Sequence, residues 1–323
     1  MRVLSLNFGD EDCASSQFRI HAYRDRLRAE GIELFAVPAD GFVNWESVAN
    51  YDAVIVQKKL LSLGKVRRLR HRARRLIYDI DDAIWQPHGR AHHWVTRLRT
   101  TLRLRSIVRA AHLCLVANRE LASHLGQWSN RVKVFGMALD ETVWKPCTPS
   151  PGSGVTLGWS GAPGNLGYLE SLEPALIEIQ RRHPSTTVKV LCGKAPRFTQ
   201  LKAEHVPWRQ GEEAQVVRTF DIGLLPLPDN PFAAAKSPIK GLQYLASGIP
   251  TVATPLAATR ELFGGETTAR FARTNDEWVA QLDLLLSDSG MRERMGREAN
   301  LCFLKNYSLS QQAKRLATYL HAT

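Results

Sequence analysis

The 323-residue sequence has no long apolar run and little cysteine. No apolar stretch approaches the roughly 20 residues that a membrane-spanning helix needs, so the sequence predicts no membrane span. The first residues, MRVLSLNFGDEDC, turn acidic too soon for a secretory signal. The five cysteines are scattered, odd in number and free of C-x-x-C spacing, which predicts reduced thiols rather than a disulfide framework. These absences favour a cytoplasmic globular protein.

Acidic residues are too few to balance the basic ones, and the net charge is +12. The excess is concentrated in the segment KVRRLRHRARR and in a following group of arginines: Arg97, Arg99, Arg103, Arg105 and Arg109. Such a face suits nucleic acid, the anionic surface of a membrane or an acidic substrate, and an ordinary solvated helix surface is an equal alternative. Aromatic residues are not interleaved with these arginines, which argues against a groove for single-stranded nucleic acid. We therefore expect no nucleic-acid partner and keep peripheral contact with the inner membrane face as a hypothesis.

Short β-rich runs alternate with helical segments along the whole chain, which predicts an α/β fold with parallel, doubly wound sheets. The runs of the first half are RVLSLNF, IELFAVP, DAVIVQK, RLIYDID, LCLVAN and VKVFGM. A Pro/Gly/Ser-rich linker, KPCTPSPGSG, precedes a second series: VTLGWSG, TVKVLCG, HVPW, DIGLLPL, IPTVATP and ARFA. We expect domains at residues 1–146 and 155–307, with a last helix at about 308–323 that can pack back on the first domain.

Helices are predicted from apolar spacing between these runs. The clearest covers Gln17–Glu30 and ends at a glycine, and a second follows the first strand of the C-terminal half. Two more are expected through Trp278–Leu286 and Gln311–His321 near the end of the chain. Open parallel sheets bind ligands at the carboxyl ends of their strands, so the active site is expected there, between the two domains.

The segment KSPIKGLQYLASGIPTVATP predicts a phosphate site. Ser237 suits an N-cap and Pro238 the first helical position, while Gly248 suits the left-handed end of the helix. The amides and dipole of a helix start attract anions, and Lys236 and Lys240 lie beside this start. The alternative is a pair of surface lysines flanking a turn.

Several segments, in their order along the chain, resemble retaining GT-B glycosyltransferases of the large family four. In the second half these are GWSGAPGNLGYLESLEPAL, VPWR, FDIGLLPLPDNPF and the lysine-containing segment. In the first half they are ASSQFRIHAYRDRLRAEGIEL, YDIDDAIW and FGMALDETVWKP. The resemblance implies two Rossmann-like domains, a nucleoside diphosphate sugar held mainly by the C-terminal domain and an acceptor held mainly by the N-terminal one. It also implies retention of anomeric configuration, with no cofactor and no metal.

The resemblance also implies a donor site, from which this sequence departs in two places. Ala235 and Gln243 stand where many members have glutamates that contact the donor; Gln243 can still bind a ribose hydroxyl, whereas Ala235 offers no polar group. In the loop SGAPGNLGYL, small residues replace the usual cations, and a backbone contact to phosphate or an ordinary turn are both open. The further donor-site candidates are Ser160, Gly161, Asn165, Lys194, Trp208, Lys236, Ser237, Pro238 and Ile239.

Asp81 and Asp82, in YDIDDAIW, are the candidate catalytic residues together with Lys240. By resemblance, the two acids would orient the acceptor hydroxyl or contact the sugar, and Lys240 would offset charge on the leaving diphosphate. A capped strand end is the alternative for the acids. A metal site is disfavoured because further oxygen ligands are not evident.

The loop after the first strand, which usually meets the acceptor or a donor phosphate in this fold, supplies the remaining candidates. Gly9 and Arg19 are assigned to the donor, since a guanidinium can hold a phosphate with two hydrogen bonds. Acceptor-side candidates come from this loop and from the Trp-rich loop after the fourth strand: Ser15, Ser16, His88 and His92.

The function predicted from these features is transfer of a sugar from a UDP- or GDP-linked donor to the hydroxyl of a glycan, a lipid-linked carrier or a small molecule. A role in cell-envelope glycan synthesis would suit the basic N-terminal half. The alternatives are a nucleotide-sugar epimerase or hydrolase on the same fold, and a basic nucleic-acid-binding protein without enzymatic activity.

Overall fold

The computed structural model describes residues 1–86, 93–146 and 154–322. Its contacts divide the chain into two units. The first unit comprises Met1–Ala138, Ala234–Ser237 and Ser308–Thr323; the second comprises Leu139–Ala233 and Pro238–Tyr307. The first unit thus ends its first segment at Ala138, and it includes the four residues Ala234–Ser237 as well as the C-terminal segment from the second half of the chain.

The first unit is built on a six-stranded parallel sheet in the order β2-β1-β3-β4-β5-β6. Its strands are β1 Arg2–Asn7, β2 Glu33–Pro38, β3 Ala53–Gln57, β4 Leu76–Ile80, β5 Leu113–Val116 and β6 Val132–Val134. Its helices up to β6 are α1 Ala14–Arg19, α2 Arg24–Ala29, α3 Leu63–Arg72, α4 Trp94–Ala110 and α5 Arg119–Gly126. Strands β3 and β4 are buried along their whole length, as expected of central parallel strands covered on both faces.

The second unit repeats the architecture, with a six-stranded parallel sheet in the order β12-β11-β10-β7-β8-β9. Its strands are β7 Thr156–Ser160, β8 Thr187–Cys192, β9 Glu204–Pro207, β10 Ile222–Leu225, β11 Thr251–Ala253 and β12 Ala269–Phe271. The helices along this part of the chain are α6 Leu166–Glu170, α7 Glu173–Arg182, α8 Glu213–Val217, α9 Pro231–Ala234, α10 Ile239–Ala246, α11 Ala257–Phe263, α12 Asn275–Ser287 and α13 Ser289–Asn306. All twelve predicted strands are present.

The last helix, α14 Leu309–His321, belongs to the first unit. Its buried face includes Leu309, Leu316 and Leu320, which join a core cluster with Tyr23 and Leu27. Helix α14 packs against α2, so the C-terminal end of the chain completes the core of the N-terminal unit.

Some predicted helices differ from those observed. The helix expected over Gln17–Glu30 is divided into α1, a 3-10 turn at His21–Tyr23 and α2, because Ile20 leaves helical geometry with φ −130°. Its predicted apolar face is nevertheless buried. Helix α13 was not predicted: its residues include Arg292, Arg294 and Arg297, and the apolar positions buried on one side are few. Among the described residues, no helix is long and apolar enough to cross a membrane.

Candidate functional site

In the first unit, one lysine joins the two predicted acids at the carboxyl ends of β3 and β4. The Lys58 Nζ lies 2.6 Å from Asp82 Oδ2 and 3.2 Å from Asp81 Oδ1. The side chains of Lys58 and Asp81 are about 10% exposed, with fractions of 12% and 9%. Since β3 and β4 are adjacent and parallel, residues that follow them meet at one edge of the sheet.

Hydrogen bonds connect this cluster to the loop after β1. The Ser15 hydroxyl donates to Asp81 Oδ2 over 2.7 Å and accepts from Gln57 Nε2 over 2.8 Å. Gln57 Oε1 in turn accepts from the backbone N–H of Phe8 over 2.9 Å. Ser16 lies deeper: its hydroxyl is buried, 3.4 Å from Gln57 Oε1, and accepts from the Gly9 N–H. The predicted loop residues Ser15 and Ser16 and the predicted acid Asp81 are thus brought together.

Lys58 is held in a position that the sequence analysis missed. Its φ is +60°, which is uncommon for a residue with a side chain and persists where the surroundings fix it. Burial alone would lower the pKa of Lys58, but attraction to Asp81 and Asp82 outweighs it and raises the pKa above the ordinary value. The lysine is therefore charged at neutral pH. The sequence could have pointed to Lys58, because this residue directly follows β3, the neighbour of the strand that the two acids follow.

Arg19 does not take the position that was predicted for it. Its side chain is fully buried and forms a two-pronged ion pair with Asp79, in which Nε lies 3.0 Å from Oδ2. Nη1 also donates to the carbonyl oxygens of Phe135 and Gly136, over 2.7 and 3.1 Å. Its N–H groups are directed at partners inside the core, so this arginine does not fit the predicted contact with a donor phosphate. It joins helix α1 to β4 and to the segment after β6.

In the second unit, Tyr244 ties the end of β7 to α10. The phenol oxygen accepts a hydrogen bond from the Ser160 N–H over 2.8 Å, and burial raises the pKa of Tyr244. The Ser160 Oγ and the Gln243 Oε1 are also buried, and neither has a hydrogen-bond partner within the described parts of the chain. A buried polar atom without a partner is costly, so both atoms have an unused hydrogen-bonding capacity.

Lys240, in the first turn of α10, forms an ion pair with Glu213 of α8. The lysine side chain is 24% exposed and the glutamate 18%. Glu213 was not among the predicted residues. The Glu213 carboxylate already compensates the charge of Lys240, which the sequence analysis assigned to offsetting a leaving diphosphate. An anion at this place therefore has to compete with Glu213 for the lysine or share the lysine with it.

The start of α10 differs from the prediction by one residue. Pro238 is the N-cap, with φ −81° and ψ 77°, and Ile239 is the first helical residue. Ser237 is therefore not the cap, and its buried Oγ has no hydrogen-bond partner in the described structure. Pro238 offers no N–H at this position, so the amides available at the helix start are those of Ile239 and the residues after it. The predicted C-terminal end is confirmed: Gly248 has φ +65°, and the Ile249 N–H reaches the Tyr244 carbonyl over 2.9 Å.

The segment with the predicted phosphate-site residues is divided between the two units. Lys236 and Ser237 belong to the first unit, whereas Pro238, Ile239 and Lys240 belong to the second. In the first unit Ala235 is buried in the core, and its carbonyl accepts from Asn118 Nδ2 over 2.8 Å. Ala235 therefore has a packing role at the position where the resembling family carries an acid.

The other donor-site candidates lie in the second unit. Gly161, directly after β7, lies against the Trp159 ring. A Cβ at this position would come within 2.3 Å of the ring, so packing explains the glycine. Asn165 lies at the end of a 3-10 turn and does not cap α6 with its side chain. Lys194 and Trp208 are exposed after β8 and β9, so Trp208 is not a core residue. His88 and His92 lie outside the described residues.

The second unit also holds a crevice of about 540 Å³ away from these residues. Its lining includes Asp221 and Pro250, which precede β10 and β11, so it lies at the amino ends of the strands. Ligand sites of open parallel sheets are expected at the opposite edge. Within the described ranges, no group of three or more His, Cys, Asp or Glu side chains could hold a metal ion.

Comparison with known proteins identifies the fold. Residues 173–318 match the model of a family described as glycosyl transferase-like. The sucrose-phosphate synthase from Thermosynechococcus elongatus superposes with a TM-score of 0.74 at 12% identity, covering 98% of this chain and 97% of that one. HepE from Anabaena, solved in complex with UDP, gives a TM-score of 0.72 at 15% identity and covers 99% of each chain. A glycosyltransferase from Rickettsia africae gives 0.69 at 11%, covering 99% and 98%. No curated protein sequence matches the chain. The predicted GT-B fold is confirmed.

Proposed function

We propose that the protein transfers a sugar from a nucleoside diphosphate sugar, with UDP as the first candidate nucleotide, to an acceptor hydroxyl. The observation that carries this proposal is the likeness over almost the whole chain to a sucrose-phosphate synthase, to a glycosyltransferase and to HepE, which was solved with UDP and with UDP-glucose. The glycosyl transferase-like match over 173–318 supports it independently, because it comes from sequence.

The donor side of the proposal rests on the second unit. The buried Gln243 Oε1 and Ser160 Oγ lack partners within the described chain, and Lys240 brings a cation to the first turn of α10. We assign Gln243 to a ribose hydroxyl and the first amides of α10 with Lys240 to the diphosphate. Gly9, Gly161, Asn165, Lys194, Trp208 and Lys236 remain donor-site candidates.

The acceptor side rests on the first unit. Asp81 accepts from Ser15, and Lys58 compensates both acids, so the cluster offers an oriented carboxylate next to a hydroxyl. We assign Asp81 and Asp82 to orienting the acceptor hydroxyl or contacting the donor sugar, on a glycan, a lipid-linked carrier or a small molecule. The Lys58 ammonium is already bound by both carboxylates. Retention of anomeric configuration without a metal is part of the proposal because the sequence resemblance implies it.

Titration with nucleotides followed by product analysis tests this function. UDP should bind more tightly than uridine in calorimetry, and UDP-glucose or another UDP-sugar should release UDP faster when an acceptor is present. EDTA should leave that rate unchanged. If neither UDP nor GDP binds, the proposal is rejected.

Product analysis separates transfer from the epimerase alternative. One solved relative in fold is described as a putative UDP-N-acetylglucosamine 2-epimerase from Listeria monocytogenes, with a TM-score of 0.61 at 12% identity, covering 99% of this chain and 95% of that one. An epimerase would return a changed sugar that is still linked to UDP. A transferase yields free UDP and a glycosylated acceptor.

A further inference from the structure

Helix α4 of the first unit exposes an apolar stripe that no other described helix matches in size. Its side chains are Trp94, Val95, Leu98 and Leu102, which are 68%, 46%, 53% and 48% exposed. At 3.6 residues per turn these four lie on one side of the helix, within a stripe about 100° wide. The described helix with the next largest number of exposed large apolar residues is α13, which has two, Leu301 and Leu304.

The same helix buries its other side only in its C-terminal half. Leu104, Ile107 and Val108 are buried in the core of the first unit, whereas none of the residues Trp94–Arg103 is buried. The anchored half holds the helix on the sheet and leaves the N-terminal half projecting its apolar stripe into solvent. Scattered exposed leucines are ordinary, but a continuous stripe on one helix face marks an interaction surface.

The stripe is surrounded by uncompensated positive charge. Helix α4 contains five arginines and no acidic residue: Arg97, Arg99, Arg103, Arg105 and Arg109. None of them has a carboxylate partner among the described residues. Arg99 and Arg103 flank the stripe, and Arg105 and Arg109 continue it towards the C-terminal end of the helix. Helix α3, which packs against α4, also lacks acids and adds Lys65, Arg67, Arg68 and Arg70; its Arg72 is paired with Glu46.

We infer that this α4 face, meaning the four apolar residues and the five arginines of the helix, docks the protein on an anionic phospholipid surface. An apolar stripe bordered by arginines is the arrangement of helices that lie in a membrane interface, with their apolar side among the acyl chains and their cations at the headgroups. Arginine side chains are long enough to reach phosphate while their stems stay beside apolar atoms. A tryptophan at one end of the stripe fits the same interface.

Charge complementarity favours an anionic bilayer over nucleic acid or a protein as the partner of the α4 face. Nucleic acid would use the arginines but leave the leucine and valine side chains in water, since no base-stacking series of aromatics accompanies them. A protein partner would need an apolar groove with an acidic rim. An anionic bilayer meets both the apolar and the cationic parts of the α4 face at once. The inference is independent of the proposed catalytic function.

Vesicle flotation of the full chain tests the inference without any donor or acceptor. The protein should float with an equimolar mixture of phosphatidylcholine and phosphatidylglycerol and stay behind with phosphatidylcholine alone. The double variant Leu98→Ser/Leu102→Ser should lower the partition coefficient at least tenfold. Arg99→Gln/Arg103→Gln should lower it about 25-fold, from roughly fivefold for each arginine near an anionic surface.

Matched controls use equally exposed residues of the second unit. Leu301→Ser and Arg294→Gln, at side chains 58% and 63% exposed, should leave the partition coefficient within about twofold, as expected for surface changes away from a contact. Unchanged melting temperatures would show that the α4 variants are folded. Equal binding to neutral vesicles, no vesicle binding, or an effect of the controls as large as that of the α4 variants overturns the inference. So does vesicle binding that survives the leucine variant, because the surface would then be a general polyanion site.

Discussion

The polar side chains at the carboxyl ends of the two sheets differ in whether they have hydrogen-bond or ion-pair partners. In the first unit, Lys58, Asp81, Ser15 and Gln57 are engaged with one another. In the second, Ser160 Oγ and Gln243 Oε1 are buried without a hydrogen-bond partner in the described structure. Asp81 Oδ1 also lacks a hydrogen-bond partner in the described structure, but it is ion-paired with Lys58. A cluster held by ion pairs and hydrogen bonds can keep its geometry without ligand, whereas polar atoms with no partner of either kind gain most when they acquire one. We therefore expect mutations at the first site to affect stability and mutations at the second to affect nucleotide binding.

The largest effect on stability is expected at Arg19. The change Arg19→Leu leaves Asp79 buried without its cation and should lower the free energy of unfolding by about 3–5 kcal/mol. Urea denaturation measures it. Arg24→Leu is the matched control, because Arg24 pairs with Glu11 at the surface and should cost less than about 1 kcal/mol. Similar losses for the two variants would contradict the structural role of Arg19.

Removal of Lys58 tests whether its pairing with Asp81 and Asp82 stabilises the protein more than an ordinary surface ion pair does. Lys58→Met leaves two neighbouring carboxylates without their cation, and we expect a loss of about 2–3 kcal/mol at neutral pH. The loss should shrink as the pH rises through the folded-state pKa of Lys58, because the deprotonated lysine no longer compensates the two carboxylates. In the natural protein the pKa of Lys58 is raised, so its stabilising contribution is complete at neutral pH and is lost only as the pH rises through that folded-state pKa.

Lys59→Met is the control for this variant. Lys59 follows Lys58 and pairs with Asp40, whose side chain is 75% exposed, so its removal should change stability little and without the same pH dependence. Equal pH profiles for the two variants would show that the pairing of Lys58 with the two acids is not special.

Gln243→Leu should have opposite effects on binding and stability. Without ligand, the variant loses a buried, unpartnered oxygen, so its unfolding free energy should stay the same or rise by up to about 1 kcal/mol. Its affinity for UDP should fall about tenfold if the side chain binds the ribose, because one hydrogen bond is lost. Calorimetry with UDP and a thermal melt without it measure the two effects.

Ser247→Ala is the matched control on the same helix. Its Oγ is likewise buried without a partner in the described residues, but it lies at the C-terminal end of α10. The variant should keep full affinity for UDP. A loss of affinity equal to that of Gln243→Leu would mean that both changes act through packing.

The smallest effect is expected at Glu213. Glu213→Gln removes the charge that now holds Lys240, so the lysine becomes available to a diphosphate and UDP should bind about two- to threefold tighter. The gain should disappear in the double variant with Lys240→Met. Weaker binding in Glu213→Gln would instead indicate that the pair positions Lys240 and does not compete for it.

The sequence was sufficient to predict the strands and their order along the chain, because buried parallel strands are continuous apolar runs between helices. It was also sufficient for Gly248, which ends α10 as predicted. Asp81 and Ser15 are hydrogen-bonded to each other, and their functional roles stay predictions. The sequence could not give the partners of Arg19, because Asp79 and the carbonyls after β6 are distant in the chain. The ion pair between Lys240 and Glu213 and the burial of Ala235 in the first unit depend in the same way on tertiary packing.

Hydrogen exchange with and without UDP tests the central claim most directly, namely that nucleotide binds at the carboxyl ends of the second sheet. We predict slower exchange in the loop Ser160–Asn165 and in the first turn of α10. Protection confined to the crevice around Asp221 and Pro250, or no protection at saturating UDP, would contradict the account.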